Sequence, residues 1–319
     1  MALFLTEREV AQLLPMNECI DALEESFKHA ASGDVEIKPR SRMRMPNGFF
    51  HFMAAADEAH SVFGYKAYPS FAGPGGSKFI VMLYDYDSGQ LLSCMESGRL
   101  GQIRTGAASG LASKYMAREE AKSVAVFGSG FQARTQLEAI CTACDIRQAK
   151  VYSRREEKRS EFANQMGERL ELEIEAVSTP SECVSDADIV VTITSAREPV
   201  FDGKDLKPGT HVNAAGGNHW LRREIDEETV NRADLIVVDS LEQAKIECGD
   251  LLWLEARGSF RWSMVNELSE VVAGNIVGRS SEDSITVFES MGIGLEDIAA
   301  AQLVYKKALE QGVGQELPF

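Results

Sequence analysis

The sequence predicts an α/β protein in which a parallel β-sheet covered by helices follows a differently built, sheet-rich N-terminal region. Three observations carry that expectation. From Lys122 onward, short apolar strands alternate with helical stretches; ahead of it, five strand-like segments follow one another with turn signals between them. The first strand of the alternating half then runs into a glycine turn, Gly128-Ser129-Gly130-Phe131-Gln132-Ala133. Strands buried on both faces read as unbroken apolar runs, whereas consecutive strands joined by tight turns read as antiparallel.

In chain order, residues 6–32 read as one amphipathic helix, with Val10, Leu13, Leu14, Ile20, Leu23 and Phe27 at helical spacing. Strands are expected around 40–45, 49–54, 61–68, 79–84 and 90–95. Pro46-Asn47-Gly48, Gly73-Pro74-Gly75-Gly76 and Asp87-Ser88-Gly89 supply the turns. A helix rich in Ala, Gly and Ser covers 104–116. The alternating half offers strands at 123–127, 150–153, 173–177, 188–194, 210–214 and 234–239, and a last amphipathic helix covers 295–309.

Composition excludes several functions. Among 319 residues, 33 are Lys or Arg and 49 are Asp or Glu, a formal net charge of −16. Nucleic-acid binders neutralise phosphates with Lys and Arg, and anionic membranes attract basic segments, so neither partner is expected. No apolar run approaches the roughly 18–20 residues that span a bilayer. The start, MALFLTEREVAQLL, lacks the basic stretch of a signal peptide, and the six cysteines do not resemble a disulfide framework. A cytoplasmic protein with reduced thiols is expected. Cys141 and Cys144 have no second pair to complete a metal site, so no metal is expected.

The glycine turn is the strongest local signal. Gly128 permits the tight turn, Gly130 lets a pyrophosphate approach the backbone, and Ala133 lets the helix pack closely on the strand. The free N–H groups and positive dipole end of that helix suit phosphate. A Rossmann dinucleotide-binding domain is therefore expected, with Ser129, Phe131 and Gln132 completing the turn. About 20 residues on, where an acidic residue would bind the ribose 2′-hydroxyl of NAD, stand Ser153, Arg154 and Arg155. A hydroxyl and two arginines suit a 2′-phosphate, so NAD(P)H is the expected cofactor with a leaning to NADP; NAD stays open.

Arg40, Arg42 and Arg44 stand on alternate residues, hence on one face if the segment is a strand. Taken in order, Gly64-Tyr65-Lys66, Gln102-Ile103-Arg104-Thr105-Gly106-Ala107-Ala108, the glycine turn, the stretches 211–218, 238–240 and 247–250, and Thr286-Val287-Phe288-Glu289-Ser290-Met291-Gly292 match one known pattern. On these motifs the chain resembles the ornithine cyclodeaminase/mu-crystallin family along its whole length. That resemblance implies a homodimer. Residues 1–117 with 293–319 would form an α+β substrate-binding and dimerisation domain, built from the N-terminal region and the C-terminal helix, and 118–292 the Rossmann domain. It also implies that Arg42, Lys66 and Arg104 hold a substrate carboxylate, with Lys66 or an ordered water held near Asn218 as proton donor. Thr194, Asn218 and Gly292 join the cofactor site. Arg40 and Arg44 are expected on a solvated edge.

One departure from the family pattern redirects the chemistry. Cyclodeaminase-type members carry an Asp where this chain has Asn218, and an amide cannot take up a proton as a carboxylate does. The resemblance then implies reduction of a small anionic α-imino acid, with iminosuccinate and pyrroline-2-carboxylate as candidates. Asn218 would orient the imine or the nicotinamide, and His219 is an alternative acid. Competing readings are oxidative deamination of the alanine-dehydrogenase kind, ornithine cyclodeamination, and a non-catalytic ligand-binding protein that needs the cofactor.

Overall fold

The computed structural model describes residues 2–71 and 77–318; the expected turn at Gly73-Pro74-Gly75-Gly76 lies outside them. The N-terminus departs from expectation. Ala2–Leu5 is a strand, β1, and the single helix expected over 6–32 is two, α1 (Glu7–Leu13) and α2 (Met16–Ser32). Pro15 has no N–H to donate into a preceding turn and keeps Leu14 out of helical geometry (φ −120°, ψ 73°), so apolar periodicity continues where the backbone cannot. Thr6 opens α1 with a capping box: its hydroxyl accepts from Glu9 N, and its own N–H donates to the Glu9 carboxylate at 2.8 Å.

Five strands follow, β2 (Val35–Met45), β3 (Gly48–Asp57), β4 (Val62–Phe71), β5 (Ile80–Asp85) and β6 (Leu91–Glu96), and then helix α3 (Gly98–Met116). The alternating half begins with β7 (Ser123–Phe127), α4 (Phe131–Ala143), β8 (Gln148–Tyr152), α5 (Glu156–Leu170), β9 (Glu173–Ala176), α6 (Pro180–Val184) and β10 (Ile189–Thr192). It continues with β11 (His211–Ala214), α7 (Glu227–Arg232), β12 (Leu235–Val238), α8 (Leu241–Glu247) and α9 (Gly249–Glu255). β13 (Val265–Glu267), α10 (Leu268–Val272) and β14 (Thr286–Glu289) complete it, and α11 (Gly294–Gln311) and β15 (Gln315–Leu317) form the tail.

Two compact units result, Met1–Arg104 with Ile293–Phe319, and Thr105–Gly292. In the first, β2 to β6 form an antiparallel meander, extended past β6 by β1, which runs parallel to it, and by β15. Helices α2 and α11 cover one face. Contact there is close: a Cβ on Gly64 would come 2.8 Å from Ile298 Cδ1, and one on Gly294 would come 2.7 Å from the Ala54 carbonyl oxygen. The alternate residues point to the other face, where Phe63 stacks on Tyr84 and Phe52 and Ile80 are 40 % and 37 % exposed.

The second unit is an eight-stranded, all-parallel sheet in the order β13-β12-β14-β11-β10-β7-β8-β9. Phe127, Val190, Val212 and Val287 pack on one face, and Val126, Leu137, Val151 and Val191 on the other, which is why the strands read as unbroken apolar runs. The chain reverses between β7 and β10, the switch point where doubly wound sheets bind ligands. The first boundary falls inside α3. Beyond Arg104 the helix is fixed to the parallel sheet: Thr286 Oγ1 donates to the Met116 carbonyl at 2.9 Å, and Asn213 donates to Ser113 Oγ at 2.9 Å. Among the described residues, no helix is long and apolar enough to cross a membrane.

Candidate active site

In the first unit, Lys66 (β4) and Arg104 (α3) are each 4 % exposed. Two buried cations require counter-charges, and the first turn of α11 supplies them. Lys66 Nζ donates to Asp297 Oδ1 at 3.0 Å, and Arg104 Nε donates to the same oxygen at 2.8 Å. Arg104 also donates to Glu296 Oε2 at 2.7 Å. The two acids sit where the helix dipole favours negative charge. Gly101 admits the ammonium: a Cβ there would stand 2.7 Å from Lys66 Nζ.

The two cations are not equivalent. Burial pulls Lys66 down from 10.5 to about 8; Asp297 opposes this, while Arg104 and Arg40 add to it. Burial lowers Arg104 too, but Asp297 and Glu296 outweigh it and hold the guanidinium above its ordinary value. Arg104 is thus a permanent charge and Lys66 a group that can give up a proton near neutral pH.

Arg40 corrects an expectation. It is 6 % exposed rather than solvated, and its charge acts on Lys66. A register slip between Lys38 and Ser41 breaks the regular alternation of β2 at this residue. Arg42 is half-buried, in register with His51, which lies opposite Tyr68; Arg44 is exposed. His51 stacks on Tyr68 and Tyr68 on Phe79, each with centroids 4.6 Å apart. Lys66 Nζ lies 6.0 and 5.7 Å from the Tyr68 and Phe79 ring centroids. An aromatic wall therefore stands beside Lys66.

In the second unit, the turn after β7 has the geometry a pyrophosphate needs. Gly128 has φ 122°, and a Cβ there would lie 2.5 Å from the Ile193 carbonyl oxygen, so only glycine fits. Gly130 is the N-cap of α4, with no side-chain cap and open space where a Cβ would stand. Ala133 is fully buried in the helix–sheet contact. Ser129 Oγ donates to Ser153 Oγ at 2.9 Å, joining the turn to the end of β8, and Arg154 beside it is exposed. These residues fit a nicotinamide dinucleotide.

Buried carboxylates hold the neighbouring loops. Glu224 accepts from Thr192 Oγ1 (2.9 Å), Thr194 N (2.5 Å), Thr194 Oγ1 (2.6 Å) and Gly216 N (2.7 Å). The Thr194 hydroxyl is thus directed at Glu224. Asp250 Oδ1 accepts from Glu224 N and Ile225 N at 2.7 and 2.9 Å, and Gly217 packs on its other oxygen. Burial raises Glu224, and lifts Asp250 to about 7. This frame fixes the loop carrying Asn218, which is half-buried. His219 stacks on Trp220 (4.1 Å), and its Nδ1 accepts from Leu221 N at 3.1 Å, a local turn role. Gly292 has φ 73° and donates its N–H to Asp239 Oδ2 at 2.6 Å.

Sequence reasoning missed Glu296, Asp297 and Glu224. Acidic residues in a first helical turn read as dipole partners, and only the three-dimensional contact reveals Asp297 as the shared counter-ion. The signal that could have found it was the need of buried Lys66 and Arg104 for a carboxylate.

The two units together define a class, the two-domain oxidoreductases that work with a nicotinamide dinucleotide. More narrowly, the chain belongs to the ornithine cyclodeaminase/mu-crystallin family, whose sequence profile matches residues 1–312. It is 39 % identical over 241 residues to a Delta(1)-pyrroline-2-carboxylate reductase of Bacillus cereus, covering 75 % of this chain and 74 % of that one. The Thermococcus litoralis Delta(1)-pyrroline-2-carboxylate reductase, solved in complex with NADH and L-proline, superposes with a TM-score of 0.94 at 35 % identity, over 99 % of this chain and 100 % of that one. An archaeal alanine dehydrogenase, solved as a dimer with bound NAD, gives 0.93 at 32 % identity, over 100 % and 99 %.

Proposed function

We propose that this chain reduces a small cyclic α-imino acid of the pyrroline-2-carboxylate type to the amino acid. That it is an NAD(P)H-dependent oxidoreductase acting on C=N groups follows from the family and its reductase relatives. The observation that carries the finer proposal is the shared use of Asp297 by Lys66 and Arg104 beside the His51–Tyr68–Phe79 wall. Buried cations suit a carboxylate, and stacked rings suit an apolar ring better than a second charged arm.

In this mechanism Lys66 and Arg104, helped by Arg42, hold the carboxylate and so fix the adjacent C=N carbon. Gly128–Ala133 with Ser153, Arg154, Thr194, Asn218 and Gly292 would hold the nicotinamide dinucleotide, which when bound would supply a hydride to that carbon. Lys66 delivers the proton that the nitrogen takes up, so one hydride and one proton convert the imine to the amine. Asn218 orients and does not act as base, because its amide cannot accept a proton. Ser153 and Arg154 favour the 2′-phosphate of NADPH. The reaction takes place in the cytoplasm, in keeping with six free cysteines; fractionation of the native cell that recovers the chain outside the cytoplasm contradicts this.

The outer face of the first sheet is covered by a second copy of the chain, since Phe52, Ile80 and Phe71 are exposed on it. Phe52→Asp then yields a monomer by light scattering, and an unchanged mass contradicts the assignment. The activity is tested by NAD(P)H oxidation against pyrroline-2-carboxylate, iminosuccinate and the imine of pyruvate. The cyclic substrate is expected to lead by about tenfold or more in kcat/KM. Absence of turnover with every imine, with cofactor bound, overturns the proposal.

A further inference from the structure

His29, Asp57 and His60 meet in the first unit, where the end of α2 reaches the turn between β3 and β4. Asp57 is 1 % exposed. His29 Nδ1 lies 3.0 Å from its Oδ1, and His60 Nδ1 lies 2.8 Å from its Oδ2. Ser26 Oγ, one turn before His29, donates to Oδ2 at 2.8 Å. The two imidazoles meet edge to face with centroids 4.5 Å apart. Among the described residues, the ion-pair partners of Asp57 are these imidazoles, with no Lys or Arg.

Each ring turns the same nitrogen to the carboxylate, and one ligand atom from each of the three residues lies within 4.8 Å of the others. The separations of 2.8 and 3.0 Å, one to each carboxylate oxygen, are hydrogen-bond distances. They fall a few tenths of an ångström short of the roughly 3.3 Å edge of a tetrahedral shell with bonds of about 2.0–2.1 Å, so the rings need only a small outward shift to admit an ion. The backbone around them is fixed independently. His60 N donates to Asp57 Oδ1 at 3.2 Å, the His60 carbonyl accepts from Gln302 Nε2 at 3.1 Å, and Glu58 N donates to the Asp34 carbonyl at 2.9 Å. The His29 and His60 side chains keep 23 % and 21 % exposure, so an ion has access while the carboxylate is covered.

We propose that His29, Asp57 and His60 form a binding site for a divalent transition ion of the zinc class, with water or the Ser26 hydroxyl as fourth ligand. Two imidazole nitrogens and one carboxylate suit zinc and its neighbours, whereas calcium and magnesium seek oxygen alone. The ion takes the place of the two Nδ1 hydrogen bonds, and each neutral ring then carries its proton on Nε2. Bound there, it ties α2 to the β3–β4 turn and touches no residue of the candidate active site. His29 and Asp57 are too far apart in the chain for any ligand spacing to mark them.

The test uses the full chain, freed of metal by a chelator and titrated with Zn²⁺ by calorimetry and with Co²⁺ by visible absorption. One ion per chain, a rise in Tm with Zn²⁺ and a tetrahedral Co²⁺ spectrum are expected. His29→Gln and His60→Gln, which keep a hydrogen-bonding side chain, each weaken binding by roughly 100-fold or more, while Cys141→Ser with Cys144→Ser leaves it intact. Uptake unchanged in the histidine variants, uptake lost with the cysteines, or no saturable uptake overturns the proposal and leaves a hydrogen-bonded clasp. Should the glutamine variants not fold, X-ray absorption of the zinc-loaded chain decides: two imidazole nitrogens without sulfur support the site, and a sulfur shell overturns it.

Discussion

Lys66 and Arg104 donate to one and the same oxygen, Asp297 Oδ1, at 3.0 and 2.8 Å. A single carboxylate thus sets the position of both groups proposed to meet the substrate, from a helix that begins almost 200 residues further along the chain than Arg104. Asp297→Asn removes that charge, leaving Lys66 facing an amide and Arg104 with Glu296 as its remaining carboxylate. Breaking a buried pair costs about 3–5 kcal/mol, so a marked fall in Tm is expected. Thermal unfolding beside steady-state kinetics checks this; an unaltered Tm with full kcat/KM means that the two cations are held by something else.

The pH dependence separates Lys66 from Arg104. With its folded value near 8 and its ordinary value 10.5, Lys66 binds fewer protons folded than unfolded between these limits. Stability therefore rises with pH across that window through this group, while kcat/KM for imine reduction falls above about 8 as the proton donor is lost. A bound carboxylate draws the proton back, so the limb in kcat lies at higher pH than the limb in kcat/KM. Lys66→Arg keeps its charge and should abolish the limb. Its persistence in that variant assigns it to another group.

The two turn glycines are expected to fail differently. Gly128→Ala forces a side chain to φ 122° and against the Ile193 carbonyl, so it lowers Tm. Gly130→Ala meets open space and leaves stability within about 1 kcal/mol, yet its methyl would stand where a pyrophosphate approaches. A cofactor Kd raised about tenfold or more, at near-unchanged stability, is the expected signature. Fluorescence titration of NADH beside thermal melts distinguishes the two; equal losses in both variants contradict it.

The proposed leaning to NADPH rests on Arg154, exposed just past the end of β8 beside Ser153. Charge-assisted bonds to phosphate contribute roughly 1.5–3 kcal/mol each, so Arg154→Ala should weaken NADPH about tenfold to a hundredfold and leave NADH unchanged. A parallel loss of both cofactors, or of neither, removes the 2′-phosphate assignment.

What was legible in the sequence was local. The glycine turn is a run of six residues whose chemistry depends on backbone shape, and the apolar strands of the second sheet advertise burial on both faces. Lys66 and Arg104 were marked by the family resemblance, as charges standing among small and apolar residues. Asp297 was hidden, since its partners are brought to it by the meander and by α3. Arg40 was misplaced by the irregularity in β2, and Pro15 split a helix whose apolar spacing runs straight through. Strand β14 lies inside the parallel sheet, between β11 and β12, yet its four residues end in the buried Glu289, which breaks the apolar run.

The central claim is that buried cations hold a carboxylate beside the bond being reduced. Comparing kcat/KM for pyrroline-2-carboxylate with that for 1-pyrroline, the same ring without its carboxylate, tests it most directly, in the native chain and in Lys66→Met. A preference for the carboxylate of roughly 100-fold or more in the native chain, largely lost in Lys66→Met, is expected. Equal rates on the two rings, or a preference that Lys66→Met leaves intact, would contradict it.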